Sequence, residues 1–256
     1  MKKLLITLLV AAMLIVSPAA QGAGNKETLT WFIKRNGNCT PGFSSSASMV
    51  DEYNGYYIDK KAADSEEKVL YLTFDAGYEN GNIEKILDVL QNEDVPAAFF
   101  VLDNLIIKNT DLVKRMAEDG HLVCNHTKNH RNLTRCTEEV IRNDLTDLEK
   151  IYEERTEHTL DKFFRFPEGK FSEDALRAVS NMGYTTVFWS FAYDDWDNNR
   201  QPKSEQAIKK ILDNTHNGAI ILLHPTSDTN AEILPSLIKS WRKMGYTFGT
   251  LYDLIK

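Results

Sequence analysis

The strongest constraint on the fold is a repeated switch between two hydrophobic periods across residues 67–256. Seven short, apolar, β-prone runs recur at 69–74, 97–102, 121–126, 163–166, 185–190, 219–224 and 246–251. Between them the apolar residues step at helical spacing. Ile83, Ile86, Leu87 and Leu90 fall at i, i+3, i+4 and i+7, while Ile141, Leu145, Leu148 and Tyr152 step by four, three and four. Leu176, Val179 and Met182 form a further stripe behind Ser172, placed as an N-cap. Leu237, Trp241 and Met244 lead to Gly245, placed as a C-cap. Nearly continuous apolar strands that alternate with helices predict a parallel sheet buried on both faces. The run of about 190 residues is short for eight βα units. The expected fold is therefore α/β: a distorted or incomplete (β/α) barrel of about seven parallel strands.

Residues 24–66 read differently. They form a polar lead-in dotted with aromatics, with Pro41-Gly42 and Ser44-Ser45-Ser46 as loop signals. Before them, Lys2-Lys3, an apolar run over 4–16 and a small-residue stretch ending at Ala23 form the three regions of a signal peptide. The expected organisation is a signal peptide at 1–23, a lead-in at 24–66 and one domain at 67–256. The protein is expected to be exported, or anchored in the membrane if the leader is not cleaved, since residues 4–20 approach bilayer length. Three cysteines, Cys39, Cys124 and Cys136, are too few for a disulfide framework and allow at most one pair. The net charge of −7, with no stripe of Lys and Arg, argues against nucleic acid as a partner. No obligate protein partner is evident.

Chemistry-bearing residues gather at the ends of the apolar runs, where barrel active sites are built. Asp75 ends the first run beside Gly77, and a carboxylate there suits a general base as well as a turn aspartate. His126 and His130, spaced His-x-x-x-His after the third run, put two imidazoles within reach of one metal ion. A closed zinc site adding Cys124 and Cys136 competes, but Cys124 lies inside a strand pattern and thiolates suit an oxidising compartment poorly. Arg165 precedes the rigid Phe166-Pro167-Glu168-Gly169 turn and is able to hold a carboxylate in its ionised form. His224 ends the sixth run and suits a general acid if a carboxylate orients it. Asp195 and the aromatic Trp196 follow the fifth run.

Taken in order, Thr73-Phe74-Asp75-x-Gly77, His126-Thr127-x-x-His130, Arg165-x-Pro167-x-Gly169, Asp195-Trp196 and Leu222-x-His224 resemble the five motifs of the polysaccharide deacetylase (NodB-homology) family, the family-four carbohydrate esterases. The likeness spans residues 67–256. It is greatest to the sporulation-type muramic acid deacetylases, through Phe74-Asp75-Ala76-Gly77-Tyr78-Glu79-Asn80-Gly81, Phe188-Trp189-Ser190-Phe191-Ala192 and Asp228-Thr229-Asn230-Ala231-Glu232. The resemblance implies that Asp75 is the base that activates water and that Arg165 orients it. It implies that His126 and His130 bind a divalent metal, zinc or similar, and that His224 is the acid, steered by Asp195. Trp196, Pro167 and Glu168 are implied to meet the substrate, peptidoglycan glycan strands.

Two positions depart from the family pattern. Ala76 replaces a carboxylate that usually ligates the metal, and Ala192 replaces the first Asp of the fourth motif. The ion is then expected to bind weakly, on the two imidazoles and water or with a neighbour such as Asn80. The expected activity is hydrolytic N-deacetylation of N-acetylmuramic acid residues, leading to muramic δ-lactam in spore cortex. Deacetylation of chitin, xylan or the glucosamine of peptidoglycan, and a catalytically silent glycan-binding module, are the alternatives.

Overall fold

The computed structural model describes residues 25–256, so the expected signal peptide at 1–23 lies outside the described residues. The lead-in contributes β1 (Leu29–Thr30), β2 (Ile33–Lys34), β3 (Gly42–Phe43), α1 (Ala47–Glu52) and α2 (Lys60–Ala63). The alternating part begins with β4 (Val69–Ala76), α3 (Ile83–Asn92), β5 (Ala97–Val101), α4 (Asp103–Lys108), α5 (Thr110–Glu118), β6 (Leu122–Asn125) and α6 (Glu138–Thr156). It continues with β7 (Asp161–Phe164), β8 (Lys170–Phe171), α7 (Glu173–Asn181), β9 (Thr185–Thr186), α8 (Ser204–Leu212), β10 (Ala219–Leu223), α9 (Asp228–Lys243) and β11 (Thr247–Phe248).

Seven of these strands form one parallel sheet in the order β10-β4-β5-β6-β7-β9, with β11 joined to the start of β4. The sheet curls into the incomplete barrel that the period switching predicts. Side chains alternate across each strand. On β4, Val69 and Tyr71 point to the interior with Ala98, Phe100, Cys124, Phe163 and Ile220. Leu70, Leu72, Phe74 and Ala76 point out, into a layer sealed by Ile83, Leu87 and Leu90 of α3 and Leu237 and Trp241 of α9. A second outer layer packs Ile141 and Leu145 of α6 and Leu176 and Val179 of α7 on Phe164 and on lead-in residues such as Trp31 and Tyr57. Both predicted caps form. The Ser172 hydroxyl accepts from the Ala175 amide, and Gly245 takes a φ of 89° after α9.

Two predicted strands are shorter in the structure. The run at 185–190 gives only Thr185–Thr186, because the lead-in takes over its edge. The Tyr56 amide donates to Thr186 O (2.8 Å) and the Phe188 amide donates to Tyr56 O (2.7 Å). On the other side of this wedge, the Asp59 amide donates to Gly218 O at the start of β10 (2.9 Å). Between β9 and β10 the sheet is bridged only by the pairing of Phe191 with Ile221, so residues 56–59 fill an open seam. The run at 246–251 pairs only over Thr247–Phe248. Thr250 and Asp253 then exchange capping hydrogen bonds and start a 3-10 turn over Leu251–Ile255.

His121, just before β6, is 5% exposed, and neither ring nitrogen has a hydrogen-bond partner. Burial depresses its pKa to about 4. The unfolded imidazole takes up a proton near pH 6.5 and the folded one resists it until about pH 4, so stability falls as pH drops through that window. Replacing His121 with Phe removes this slope. We expect His121→Phe to gain about 1–2 kcal/mol over wild type between pH 7 and pH 5, read from urea midpoints at the two pH values.

Candidate active site

The C-terminal ends of β4, β6 and β7 bring the first group together. Arg165, one residue beyond β7, is fully buried and stacks over the Phe100 ring at 4.1 Å. Its guanidinium bridges β4 and the segment after β9. Nη1 donates to Asp75 Oδ1 (2.8 Å), Nη2 to Thr73 Oγ1 (2.9 Å) and Nε to Val187 O (2.9 Å). Thr73 is itself fixed by donating to Ile221 O of β10 (2.7 Å). A planar fork that meets several acceptors at once is a task for Arg and not for Lys. Burial alone would raise the Asp75 pKa, but Arg165, His126 and His224 outweigh it and hold the carboxyl below its usual range.

His126 sits at the opposite oxygen. Its Nδ1 lies 2.8 Å from Arg165 O, which only accepts, so Nδ1 carries the proton and Nε2 keeps a lone pair. That Nε2 faces Asp75 Oδ2 at 3.5 Å. Burial lowers the His126 pKa to about 4, against the pull of Asp75, so the ring is neutral at pH 7. A neutral lone pair opposite a carboxylate oxygen is an arrangement that a shared cation satisfies.

The exposed His130 ring meets His126 edge-on at 5.0 Å between centroids. The intervening loop achieves this with left-handed backbone at Thr127 (φ 68°) and His130 (φ 59°). It is held by two local bonds. Asn125 Oδ1 accepts from the Thr127 amide (2.9 Å), and Thr127 Oγ1 accepts from the Arg131 amide (3.0 Å).

The second group lies across the mouth. His224, one residue past β10, has Nδ1 2.7 Å from Asp195 Oδ1, and its backbone amide donates to Asp195 Oδ2 (2.8 Å). Burial opposes the charged ring, but Asp195, helped by Asp75, outweighs it and raises the His224 pKa above the ordinary imidazole value. Asp195 is 1% exposed and His224 27%, so the imidazole opens to solvent while its partner is shut in. The arrangement brings the Asp75 carboxylate, favoured in its charged form by Arg165, and the His224 imidazole, favoured in its charged form by Asp195, to the same mouth.

The metal donors are incomplete. Among the described residues no three His, Cys, Asp or Glu side chains converge to hold an ion. Ala76 is buried in the outer apolar layer with Phe74 and Val101, on the face of β4 opposite to Asp75. The site therefore fits a divalent ion through the two imidazoles and offers it no third side chain at position 76. The Asn80 amide nitrogen donates to Thr226 O (2.8 Å) and ties the loop after β4 to the loop after β10. Cys124 is buried inside β6, and among the described residues the four side chains of the competing zinc site do not converge.

Trp196 stands 59% exposed beyond Asp195, and Tyr78, 45% exposed, reaches the same loop through its hydroxyl, which accepts from Asn198 Nδ2 (2.8 Å). Pro167 is buried and gives no open contact surface, while Glu168 pairs with Lys170 on the outside of its turn. Sequence reasoning assigned no role to Thr73, Tyr78, Asn125 or Asn230. Thr73 and Asn230 lie within quoted motif stretches, so the motifs pointed at them without stating what they do.

Deleting the guanidinium leaves Asp75 buried without its main partner. We expect Arg165→Met to destabilise the fold by roughly 3–5 kcal/mol in denaturant unfolding, and Arg165→Lys to recover only part of that loss.

Comparison with known proteins agrees with this geometry. Residues 62–187 match the family described as polysaccharide deacetylase. Over 248 residues, 96% of this chain and 93% of the relative, the chain is 37% identical to the peptidoglycan-N-acetylmuramic acid deacetylase PdaA of Bacillus subtilis (strain 168). The solved structure of Bacillus subtilis PdaA, a family 4 carbohydrate esterase, superposes with a TM-score of 0.84 at 36% identity, covering 90% of this chain and 97% of that one. A family 4 carbohydrate esterase from Bacillus anthracis gives a TM-score of 0.74 at 35% identity, covering 91% and 98%. With Asp75, Arg165, His126, His130, Asp195 and His224 gathered at one barrel mouth, the chain belongs to the polysaccharide deacetylase family.

Proposed function

We propose that the protein removes N-acetyl groups from peptidoglycan, from its N-acetylmuramic acid residues, and that the product closes, with loss of water, to muramic δ-lactam in spore cortex. The observation that carries this reading is the opposition of two charge-matched pairs, Asp75 with Arg165 and His224 with Asp195. The likeness to PdaA over nearly the whole chain supports the choice of muramic acid.

The chemistry follows from the proton positions. Asp75, kept ionised by Arg165, takes a proton from water as the oxygen attacks the acetamide carbonyl. His224 has Nδ1 committed to Asp195, so its catalytic proton sits on Nε2. As the tetrahedral adduct collapses, the C–N bond breaks and that proton passes to the departing amine, giving acetate and a free amino group. His126 and His130 would hold a divalent ion, zinc or similar, whose role is to polarise the carbonyl. With Ala76 in place of a ligand, that ion binds weakly. Exposed Trp196 and Tyr78 supply flat apolar faces for a sugar ring at the rim. Action on peptidoglycan places the protein outside the cytoplasm, and the leader at 1–23 is consistent with export. Among the described residues no helix is long and apolar enough to cross a membrane.

The test is acetate release from peptidoglycan glycan strands, with and without stem peptides and added zinc. We expect release from wild type, and a fall in kcat of about 10²- to 10⁴-fold in Asp75→Asn and in His224→Gln. Equal release by Asp75→Asn and wild type would end the enzymatic reading.

The pH profile follows from the two pKa directions. Asp75 must be ionised and its pKa is depressed, so the acid limb falls below the ordinary carboxylate range. His224 must be protonated and its pKa is raised, so the alkaline limb lies above pH 6.5. We expect Asp195→Asn to move the alkaline limb to lower pH, measured as kcat/KM against pH.

A further inference from the structure

Asp195 accepts a hydrogen bond from a residue outside the acid–base set. Asn230, in the first turn of α9, is 2% exposed, and its Nδ2 donates to Asp195 Oδ2 (2.6 Å) and to His224 O (3.0 Å). Its Oδ1 accepts from the Tyr193 hydroxyl (2.5 Å). The orientation of this amide is determined by its neighbours. A carboxylate and a carbonyl only accept, so the NH2 must face them. Burial pushes the Tyr193 phenol well up, so it remains a neutral donor and fixes the oxygen on the other side.

Asp195 is thereby gripped at both oxygens: His224 Nδ1 on Oδ1, with the His224 amide and Asn230 on Oδ2. Of these partners, only the Asn230 side chain comes from an element that can hold the carboxylate independently of His224. The other charged groups facing this cluster are Asp75 and Arg165 across the mouth and Lys210 of α8, 5.9 Å from the Tyr193 ring centroid. None of them donates a hydrogen bond to the Asp195 carboxylate.

We propose that Asn230, set by Tyr193, is a positioning residue that locks the Asp195 carboxylate and so fixes the direction in which His224 Nε2 presents its proton. This inference rests on the reading of His224 as the general acid. Asn230 is enclosed and does not meet substrate, so its removal alters proton delivery and leaves binding alone.

We expect Asn230→Ala to lower kcat for acetate release by about 10- to 100-fold with KM unchanged, the loss of one hydrogen bond to a charged group. Tyr193→Phe, which frees the amide to turn, is expected to lower kcat by about 2- to 10-fold. In an Asp195→Ala background, Asn230→Ala is expected to lower kcat no further, because the group it positions is gone. In the folded protein, the downfield proton resonance of the short His224 Nδ1–Asp195 bond should broaden or vanish in Asn230→Ala and persist in wild type.

The inference is overturned if Asn230→Ala keeps kcat within about twofold of wild type. It is also overturned if its loss is equally large in the Asp195→Ala background, or if the resonance is unchanged. Should Asn230→Ala fail to fold, the same cycle with Tyr193→Phe decides the matter. His224→Gln separates the two claims: if it is fully active, the acid assignment fails, and if it is inactive while Asn230→Ala is not, only the positioning role fails.

Discussion

The buried guanidinium of Arg165 organises this protein. It neutralises Asp75, satisfies Thr73 and the Val187 carbonyl and stacks on Phe100, while the backbone carbonyl of the same residue accepts from His126 Nδ1. Strands β4, β5, β6, β7 and the segment after β9 thus meet at one side chain. A buried charge of this kind adds little net stability, because desolvation offsets much of the attraction, but removing either partner strands the other. The interaction therefore specifies an arrangement more than it strengthens the fold. It sets which oxygen of Asp75 faces the mouth and which tautomer His126 adopts.

The second centre is built by a different device. Arg165 enforces charge on Asp75 from within the barrel, whereas His224 is governed from the loops. Thr226 O receives Asn80 and Asn82 from the loop after β4, and Gln201 binds the Asp195 and Asp197 carbonyls from the loop before α8. The Thr226 bonds cross from one strand-end loop to the next, whereas the Gln201 bonds brace the Asp195 loop itself, and together they place His224 relative to Asp75. Two carboxylates, Asp75 and Asp195, thus serve opposite ends. One is paired with a buried guanidinium, and the other is enclosed against an imidazole, and the proposed mechanism uses the first toward water and the second toward the departing amine.

Much of this was legible in the sequence, for particular physical reasons. Strand and helix periods along 69–251 carried the parallel sheet, because residues such as Leu70, Leu72 and Phe74 must alternate with Val69 and Tyr71 to be buried on both faces. The strand-end motifs carried Asp75, Arg165, Asp195 and the three histidines of the mouth, since their residue types are rare at such positions without a task. Three features did not register. Thr73 and Asn230 act through hydrogen bonds to neighbours distant in sequence, and no local pattern encodes that. The metal deficit was visible as Ala76, but its burial on the opposite face of β4 required the strand's rotation. The lead-in looked like a loop-rich approach, because its pairing partners lie over a hundred residues downstream, about the worst case for local reasoning.

That lead-in has a consequence for how the chain comes to be folded. The recognisable family segment begins at residue 62, yet the hydrogen bonds that fill the barrel seam are made by residues 56–59, which precede it. Their partners, Thr186, Phe188 and Gly218, emerge long after them in an N-terminus-first delivery of the chain. Tyr56 and Ile58 must therefore wait, with their edges unpaired, until β10 arrives. Closing so long a loop is slow because its entropy is spent before the contact forms. The seam therefore closes only when residues 56–59 meet the segments around Thr186 and Gly218, far downstream of them in the chain.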